Sequence, residues 1–225
     1  MQLTERARNY LSTLKRDPAW ITAAAAAEKY LSKYRLTDSG RLLHIQQQYS
    51  GYTFTEYENQ DYTVRLRFLS DVIIAKNKKI YYTTVNGKAA FAMDNGKETP
   101  DYLLTEDGAI AYYDDEAYTH FCLYESVEVM IEILALEKAY RHYVTAPVKD
   151  LQITDLETFK NNMHRQYSFL KECSDSIQLY WQTDFDIICV AYNAYDDAYS
   201  LHIRSIGSYY SDLILKRFME DNLYI

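Results

Sequence analysis

The sequence predicts an α+β chain. It should comprise N-terminal helices, an antiparallel β meander covered by helices, and a smaller C-terminal helix–three-strand–helix unit. Three observations carry this reading. Apolar residues recur at helical spacing up to Gly51. Tight-turn dipeptides then punctuate a series of short alternating segments. After Thr145-Ala146-Pro147 the succession of helix and strands begins again, which places a domain boundary there. Residues 1–146 are therefore read as one α+β domain and residues 151–225 as a second unit packed on it.

Each element has a local cause. Leu3, Ala7, Tyr10, Leu11 and Leu14 fall on one helical face. Asp17 before Pro18 is an N-cap followed by proline at the first helical position, and Trp20, Ala24, Ala27, Leu31 and Tyr34 line the helix expected next. Asp38-Ser39-Gly40 breaks it, and a short third helix over residues 41–49 presents Leu42, Ile45 and Tyr49 before Gly51. The period then changes. Residues 63–69 alternate, with Val64, Leu66 and Phe68 against Arg65 and Arg67. Further strands are expected over 72–75, 79–85 and 88–93, the last two joined by Asn86-Gly87, a turn whose residues both take positive φ. Asn95-Gly96 and Glu106-Asp107-Gly108 extend the meander through 101–104 and 109–113, and 119–124 adds a strand. Val127, Met130, Ile131 and Leu134 mark a helix over 126–142. Beyond the boundary, Thr154 and Glu157 form a capping box for a helix presenting Leu156, Phe159, Met163, Tyr167 and Leu170. Strands over 177–182, 185–192 and 199–204 and a closing helix over 209–219 complete the unit.

Composition narrows the function. The 225 residues carry 24 Lys and Arg against 32 Asp and Glu, a net charge of −8. Such a chain is a poor general nucleic-acid binder, which needs cations to displace phosphate counterions. The early apolar run at residues 21–27 is too short to span a bilayer and no cleavable leader pattern is present, so a soluble cytoplasmic protein is expected. Cys122, Cys173 and Cys189 form no even disulfide set and no C-x-x-C pair, which fits a reducing compartment. Tyrosine is the unusual residue, with 24 against 8 Phe and 2 Trp. Its apolar ring and polar tip serve half-buried strands and recognition surfaces alike.

No catalytic pattern stands out. His44, His120, His142, His164 and His202 include no pair at chelating helical spacing, and His142 and His164 read as surface residues. A Cys–His pair is conceivable from His120, Cys122, Cys189 and His202, but Cys122 lies in phase with His120 on one strand and lacks a helix N-terminus or basic neighbour to activate its thiol. Phosphate-cradling and nucleophile-elbow glycine motifs are missing, and no cofactor or metal is expected. A small hydrolase is the alternative class. It requires His120, His202, Asp184 and Asp186 to converge in the fold.

Charge distribution is more informative. From Asp94 to Glu125 there are nine acidic residues and one lysine, and from Asp175 to Asp212 six aspartates and one arginine. Tyrosines are interleaved with both runs. An acidic, tyrosine-bearing surface complements a basic protein partner, charge steering the encounter and rings supplying anchors. The candidate contact residues are Tyr112, Tyr113, Asp114, Asp115 and Glu116, then Tyr195, Asp196, Asp197 and Tyr199. The plain alternative is solvated turns flanked by half-buried strand tyrosines.

Four segments together resemble the SUKH superfamily of Smi1/Knr4-like proteins. They are Arg41-Leu-Leu-His-Ile-Gln-Gln-Gln-Tyr-Ser-Gly51, Ala90-Phe-Ala-Met-Asp94, Pro100-Asp-Tyr-Leu-Leu-Thr-Glu-Asp-Gly-Ala-Ile110 and Tyr124-Glu-Ser-Val-Glu-Val-Met-Ile-Glu132. The first looks like the family's short helix closed by an aromatic and a glycine, the third like its strand–turn–strand, the last like its closing helix. The resemblance implies an α+β binding module without catalytic residues, typically an immunity protein that occludes a toxin of a polymorphic toxin system. A nuclease toxin, with its basic substrate groove, would suit the acidic segments.

The central strand of the C-terminal unit sets Phe185, Ile187, Cys189 and Ala191 against Ile188, Val190 and Tyr192, apolar on both faces, which requires cover on both. Residues 151–225 are therefore expected to pack on the preceding body. Expressing residues 1–150 alone tests this. The fragment should melt well below the full chain, and equal stability in a monomeric, cooperatively folding fragment would show two independent units.

Overall fold

Helix formation begins at Thr4, whose Oγ1 accepts from the Ala7 N–H at 3.2 Å and caps α1 (Glu5–Ser12). The structure, a computed structural model, describes residues 2–55, 63–95, 101–114, 119–145, 152–153, 155–193, 197–207 and 216. Ala7 and Tyr10 of α1 are buried, and Leu3, Leu11 and Leu14 pack beside them as their spacing predicts. Asp17 caps only a single 3-10 turn, Pro18–Trp20. Ile21 and Ala23 are extended, and α2 (Ala24–Leu31) starts six residues later than its sequence signal. Tertiary demand explains the delay. The buried Gln46 Nε2 donates to Trp20 O, Thr22 Oγ1 and Leu69 O at 2.9, 3.2 and 3.1 Å and Gln47 Nε2 to Thr22 O at 3.0 Å, so the Trp20 and Thr22 carbonyls that a continuous helix would use itself are taken. Gln46 lies on α3 (Gly40–Gln48) beside buried Leu42 and Ile45.

β1 (Thr53–Thr55) pairs antiparallel with β2 (Thr63–Arg65). Val64, Leu66 and Phe68 are buried as alternation requires, but strand pairing stops at Arg65 and Arg67 makes an isolated parallel bridge to Asp94. The expected strand over 72–75 is instead a short helix, α4 (Asp71–Ala75). Ser70 Oγ accepts from the Ile73 N–H at 3.3 Å and Asp71 adds a carboxylate to the first turn, so capping overrides the β-branched Val-Ile-Ile run.

The meander is a five-stranded antiparallel sheet in chain order: β3 (Tyr82–Val85), β4 (Lys88–Ala92), β5 (Tyr102–Thr105), β6 (Ile110–Asp114) and β7 (Thr119–Tyr124). Asn86 and Gly87 take φ of 50° and 77°, the two-residue turn predicted. Gly96 of the second Asn-Gly lies outside the described residues. Phe91, Leu104 and Ile110 are cross-strand neighbours in the main core, while Val85, Ala90, Leu103 and Ala111 form a small cluster on the other face.

α5 (Val127–Ala139) is apolar on all sides and buried from Val127 to Leu136, yet it carries Glu128 and Glu132, both fully buried. Arg41 of α3 makes a two-pronged ion pair with Glu128, with Nη1 donating to Oε1 at 2.9 Å and Nη2 to Oε2. Glu132 accepts from the Thr4 backbone N–H and hydroxyl at 2.6 and 2.7 Å, with Arg6 at 3.5 Å. Gly108, at φ 92°, permits the Arg41 pair: a Cβ there would stand 2.5 Å from Arg41 Nε. The turn also anchors α5, since Val127 N–H donates to Gly108 O at 3.1 Å.

The chain divides into compact units Met1–Ala135 and Leu136–Ile225, with the division inside α5. The second unit is a sheet ordered β10 (Ser168–Phe169), β11 (Gln178–Gln182), β12 (Asp186–Asn193), β13 (Ala198–Ser205), β8 (Val144–Thr145), with β9 (Gln152–Ile153) also pairing with β13. β8, β9 and β10 are two-residue pairings that carry no sequence pattern. α6 (Leu156–Gln166) starts at a cap one residue later than expected. Asp155 Oδ1 accepts from the Thr158 N–H at 3.0 Å, and Thr154 lies outside the described residues. Phe159 and Met163 of α6 pack with Trp181, Ile188, Val190, Leu201 and Ile203. β12 is central, and Ile187 is buried opposite Ile188 and Val190, but Cys189 and Ala191 are half-buried and Phe185 and Tyr192 exposed, so the two-sided cover expected of this strand is confined to its middle. The expected closing helix lies outside the described residues apart from helical Lys216.

Arg41→Ala strands Glu128 as an unpaired buried carboxylate and should cost about 3–5 kcal/mol, read by urea denaturation. Replacing both residues with Met should recover most of that loss, and a cycle without coupling would show that the pair contributes nothing. Burial pulls the Glu128 carboxyl upward, but the hydrogen bonds and charge of Arg41 outweigh it and hold it below the usual carboxylate range. A carboxyl held low in the folded state stabilises fully above its unfolded pKa of about 4.3, and the gain is lost as pH falls through the folded value. Denaturation midpoints should therefore drop more steeply with acid for the native chain than for Glu128→Gln.

Candidate functional site

Strand geometry decides the fate of the first candidate group. Tyr112 and Tyr113 are successive residues of β6 and so face opposite sides of the sheet. Tyr112 stacks on Tyr102, ring centroids 5.7 Å apart, and Tyr113 stacks on His120 at 5.0 Å. Asp114 is buried, and Asp115 and Glu116 lie outside the described residues. Several interleaved tyrosines serve packing: Tyr102 and Tyr124 lie against the main core and Tyr180 is buried.

The second group is better organised. Tyr192 and Tyr199 are direct cross-strand partners at the hairpin end of β12 and β13, rings 5.3 Å apart. Tyr192 is 37% exposed, and its hydroxyl donates to Asp197 Oδ1 at 2.6 Å. That hydrogen bond holds the Tyr192 phenol above its ordinary range. Asp197 is exposed in the left-handed region at φ 50°, and Tyr199 donates to Ser176 O at 3.3 Å. Tyr195 and Asp196 lie outside the described residues. Tyr192 thus links a half-buried phenol ring and an exposed carboxylate at the surface.

Of the acid–base candidates, Asp184, Asp186 and His202 belong to the second unit and His120 to the first. Asp184 is exposed. Asp186 is buried, accepting from Thr183 Oγ1 at 2.9 Å and from the Ser205 hydroxyl, which closes the β12 end of the sheet. His202 lies between buried Leu201 and Ile203 and is exposed on the opposite face from Asp186. Cys189 faces His202 in register, but burial pushes its enclosed thiol up to about 12, so it holds no thiolate at neutral pH. In the first unit, burial lowers the pKa of His120, and Cys122 Sγ donates to Tyr124 O at 3.5 Å. His164 is exposed as expected and also has a packing role, its Nδ1 accepting from Trp181 Nε1–H at 3.0 Å. Among the described residues no group of three or more His, Cys, Asp or Glu is placed to hold a metal ion. No described helix is long and apolar enough to cross a membrane.

Sequence reasoning missed two features. Glu128 and Glu132, one helical turn apart in an otherwise apolar helix, signal buried charge that needs partners. The stretch from Val72 to Met93 has four lysines and no carboxylate, a cationic segment inside an acidic chain. No protein-family model matches the chain, and neither characterised proteins nor solved structures yield a match.

Proposed function

We propose that this protein is a non-catalytic binding module of the immunity type. It neutralises a basic toxin, nuclease-like in its surface charge, by covering that partner's working face. The carrying observation is the Tyr192–Tyr199–Asp197 cluster, in which exposed Tyr192 packs on half-buried Tyr199 and is hydrogen-bonded to an exposed carboxylate. Large rings that are already ordered lose little entropy when a partner covers them, and an adjacent negative charge orients a basic partner. The chain's net charge of −8 favours fast encounter with a cation-rich surface. The segments that resemble the SUKH superfamily also lie together: Arg41, the Asp107-Gly108 turn and Glu128 are joined by hydrogen bonds.

The adjacent reading frame supplies the test. A toxin with a long polymorphic N-terminal region is the expected neighbour, and its toxic domain should co-purify with this protein as a stoichiometric complex. Tyr192→Ala with Tyr199→Ala should weaken that complex by about 2 kcal/mol or more, roughly thirtyfold, while Asp197→Lys should slow association in a salt-dependent manner. A neighbourhood of metabolic genes, or a complex indifferent to all three changes, would defeat the proposal.

A further inference from the structure

The start of the meander carries a surface opposite in sign to the chain as a whole. Two open depressions meet along Lys78, Lys79 and Ile80. The larger, about 480 Å³, is completed by Tyr30, Lys33, Tyr34 and Tyr82. The smaller, about 370 Å³, runs toward Trp20 and Val72. Lys33 is held at the rim, its ammonium 4.3 Å over the Tyr30 ring and donating to Asn77 Oδ1. Tyr30 in turn donates to the Lys78 carbonyl, which ties α2 to the lysine-bearing loop. Lys76, Lys78 and Lys79 are exposed, and among the described residues none of them has a carboxylate within ion-pair distance.

The same place holds exposed apolar surface. The large apolar and aromatic side chains that the first unit leaves exposed, among the described residues, are Ile21, Val72, Tyr81 and Tyr82. Val72 and Tyr82 line the depressions, and Ile21 and Tyr81 directly follow the lining residues Trp20 and Ile80. A ligand for this surface needs negative charge and an apolar body together.

Backbone geometry selects the kind of ligand. β3 is the terminal strand of its sheet among the described strands. Tyr81 O accepts from the Ala92 N–H at 3.2 Å, so in the antiparallel ladder the intervening Tyr82 and Thr84 turn their backbone N–H and C=O groups away from β4. An extended polypeptide laid along this edge would meet those groups as an added strand. Lysines beside an edge ordinarily discourage pairing with another chain. Here they discriminate, because a second copy's β3 edge would bring like charge onto Lys78 and Lys79, whereas an acidic strand would bring opposite charge.

We propose that the β3 edge and the lysine groove dock an extended acidic segment of a partner polypeptide. Its carboxylates would meet Lys33, Lys78 and Lys79, and its apolar side chains would cover Tyr34 and Tyr82. This surface is distinct from the Tyr192–Tyr199–Asp197 cluster, so either can fail without the other. The experiment is fluorescence anisotropy with the full chain and a labelled Glu-rich peptide with interspersed Phe. Comparison probes are the same peptide with Lys for Glu, the same peptide N-methylated at alternate backbone amides, oligo-dT, and vesicles of anionic phospholipid.

Saturable binding of the acidic peptide is expected. It should weaken by about tenfold or more in Lys78→Glu with Lys79→Glu, and by a similar factor on N-methylation. Both lysines are exposed, so the charge-reversed variant should keep the native melting temperature, which separates lost binding from lost folding. Tyr82→Ala should also weaken binding. The proposal is overturned by a lack of saturable peptide binding, or by equal binding in the charge-reversed variant. It is equally overturned if the N-methylated peptide, oligo-dT or the vesicles bind as tightly as the acidic peptide.

Discussion

Glu128 and Glu132 bring two carboxylates into the interior of the first unit, one turn apart on a helix otherwise made of apolar residues. Taking an unpaired carboxylate out of water costs several kcal/mol, so a fold containing these two must deliver partners to fixed points. α3 delivers the Arg41 guanidinium to Glu128, and the start of α1 delivers the Thr4 amide and hydroxyl to Glu132. Thr4 also caps α1, so the residue that begins that helix locates it against α5. The Asp107-Gly108 turn fits the same constraint, because Arg41 passes where a Cβ at position 108 would stand. Helices whose apolar faces could slide over a greasy surface are set in register by charge. Tyr49 shares the arrangement: burial and the nearby Glu128 carboxylate hold its phenol well above the ordinary range.

Charge is sorted differently inside and outside. Interior carboxylates are engaged by named donors: Glu128 by Arg41, Glu132 by Thr4, Asp186 by Thr183 and Ser205. The carboxylate of Asp197 is exposed and takes a tyrosine hydroxyl as its partner. Lys76, Lys78 and Lys79 lead into the β3 edge of the meander with no carboxylate within ion-pair distance among the described residues, whereas Lys88 of β4 pairs with Asp107. An acidic chain therefore offers both an acidic aromatic cluster and a basic aromatic groove, and electrostatic complementarity would send different partners to each.

Much of the architecture was legible in the residues. The meander, its Asn86-Gly87 turn, α5 and the central position of β12 follow from period and turn chemistry, which act within a few residues of chain. Alternation also correctly buried Val64, Leu66 and Phe68. Its failures have specific causes. Asp17-Pro18 carries a sound cap, but Gln46 claims the backbone that follows it, and the helix waits until Ala24. Val72-Ile73-Ile74 has the composition of a strand, but the Ser70 cap turns it into α4. The run of tyrosines and carboxylates from Tyr112 to Glu116 read as one surface. In the fold, Tyr112 and Tyr113 face opposite ways and Asp114 is buried, since adjacency along a strand is separation across a sheet.

The sequence by itself determined composition, charge segregation, element type and most turn positions, because each is set by local stereochemistry or by simple counting. The tertiary structure decided which charges found partners and which rings stayed in the open. Glu128 meets Arg41 across 87 positions of chain, and the Trp20–Ile80 groove also joins segments distant in sequence. No periodicity encodes such meetings. They arise when cores close, and burial then forces each polar group either to find a donor or acceptor or to remain in water.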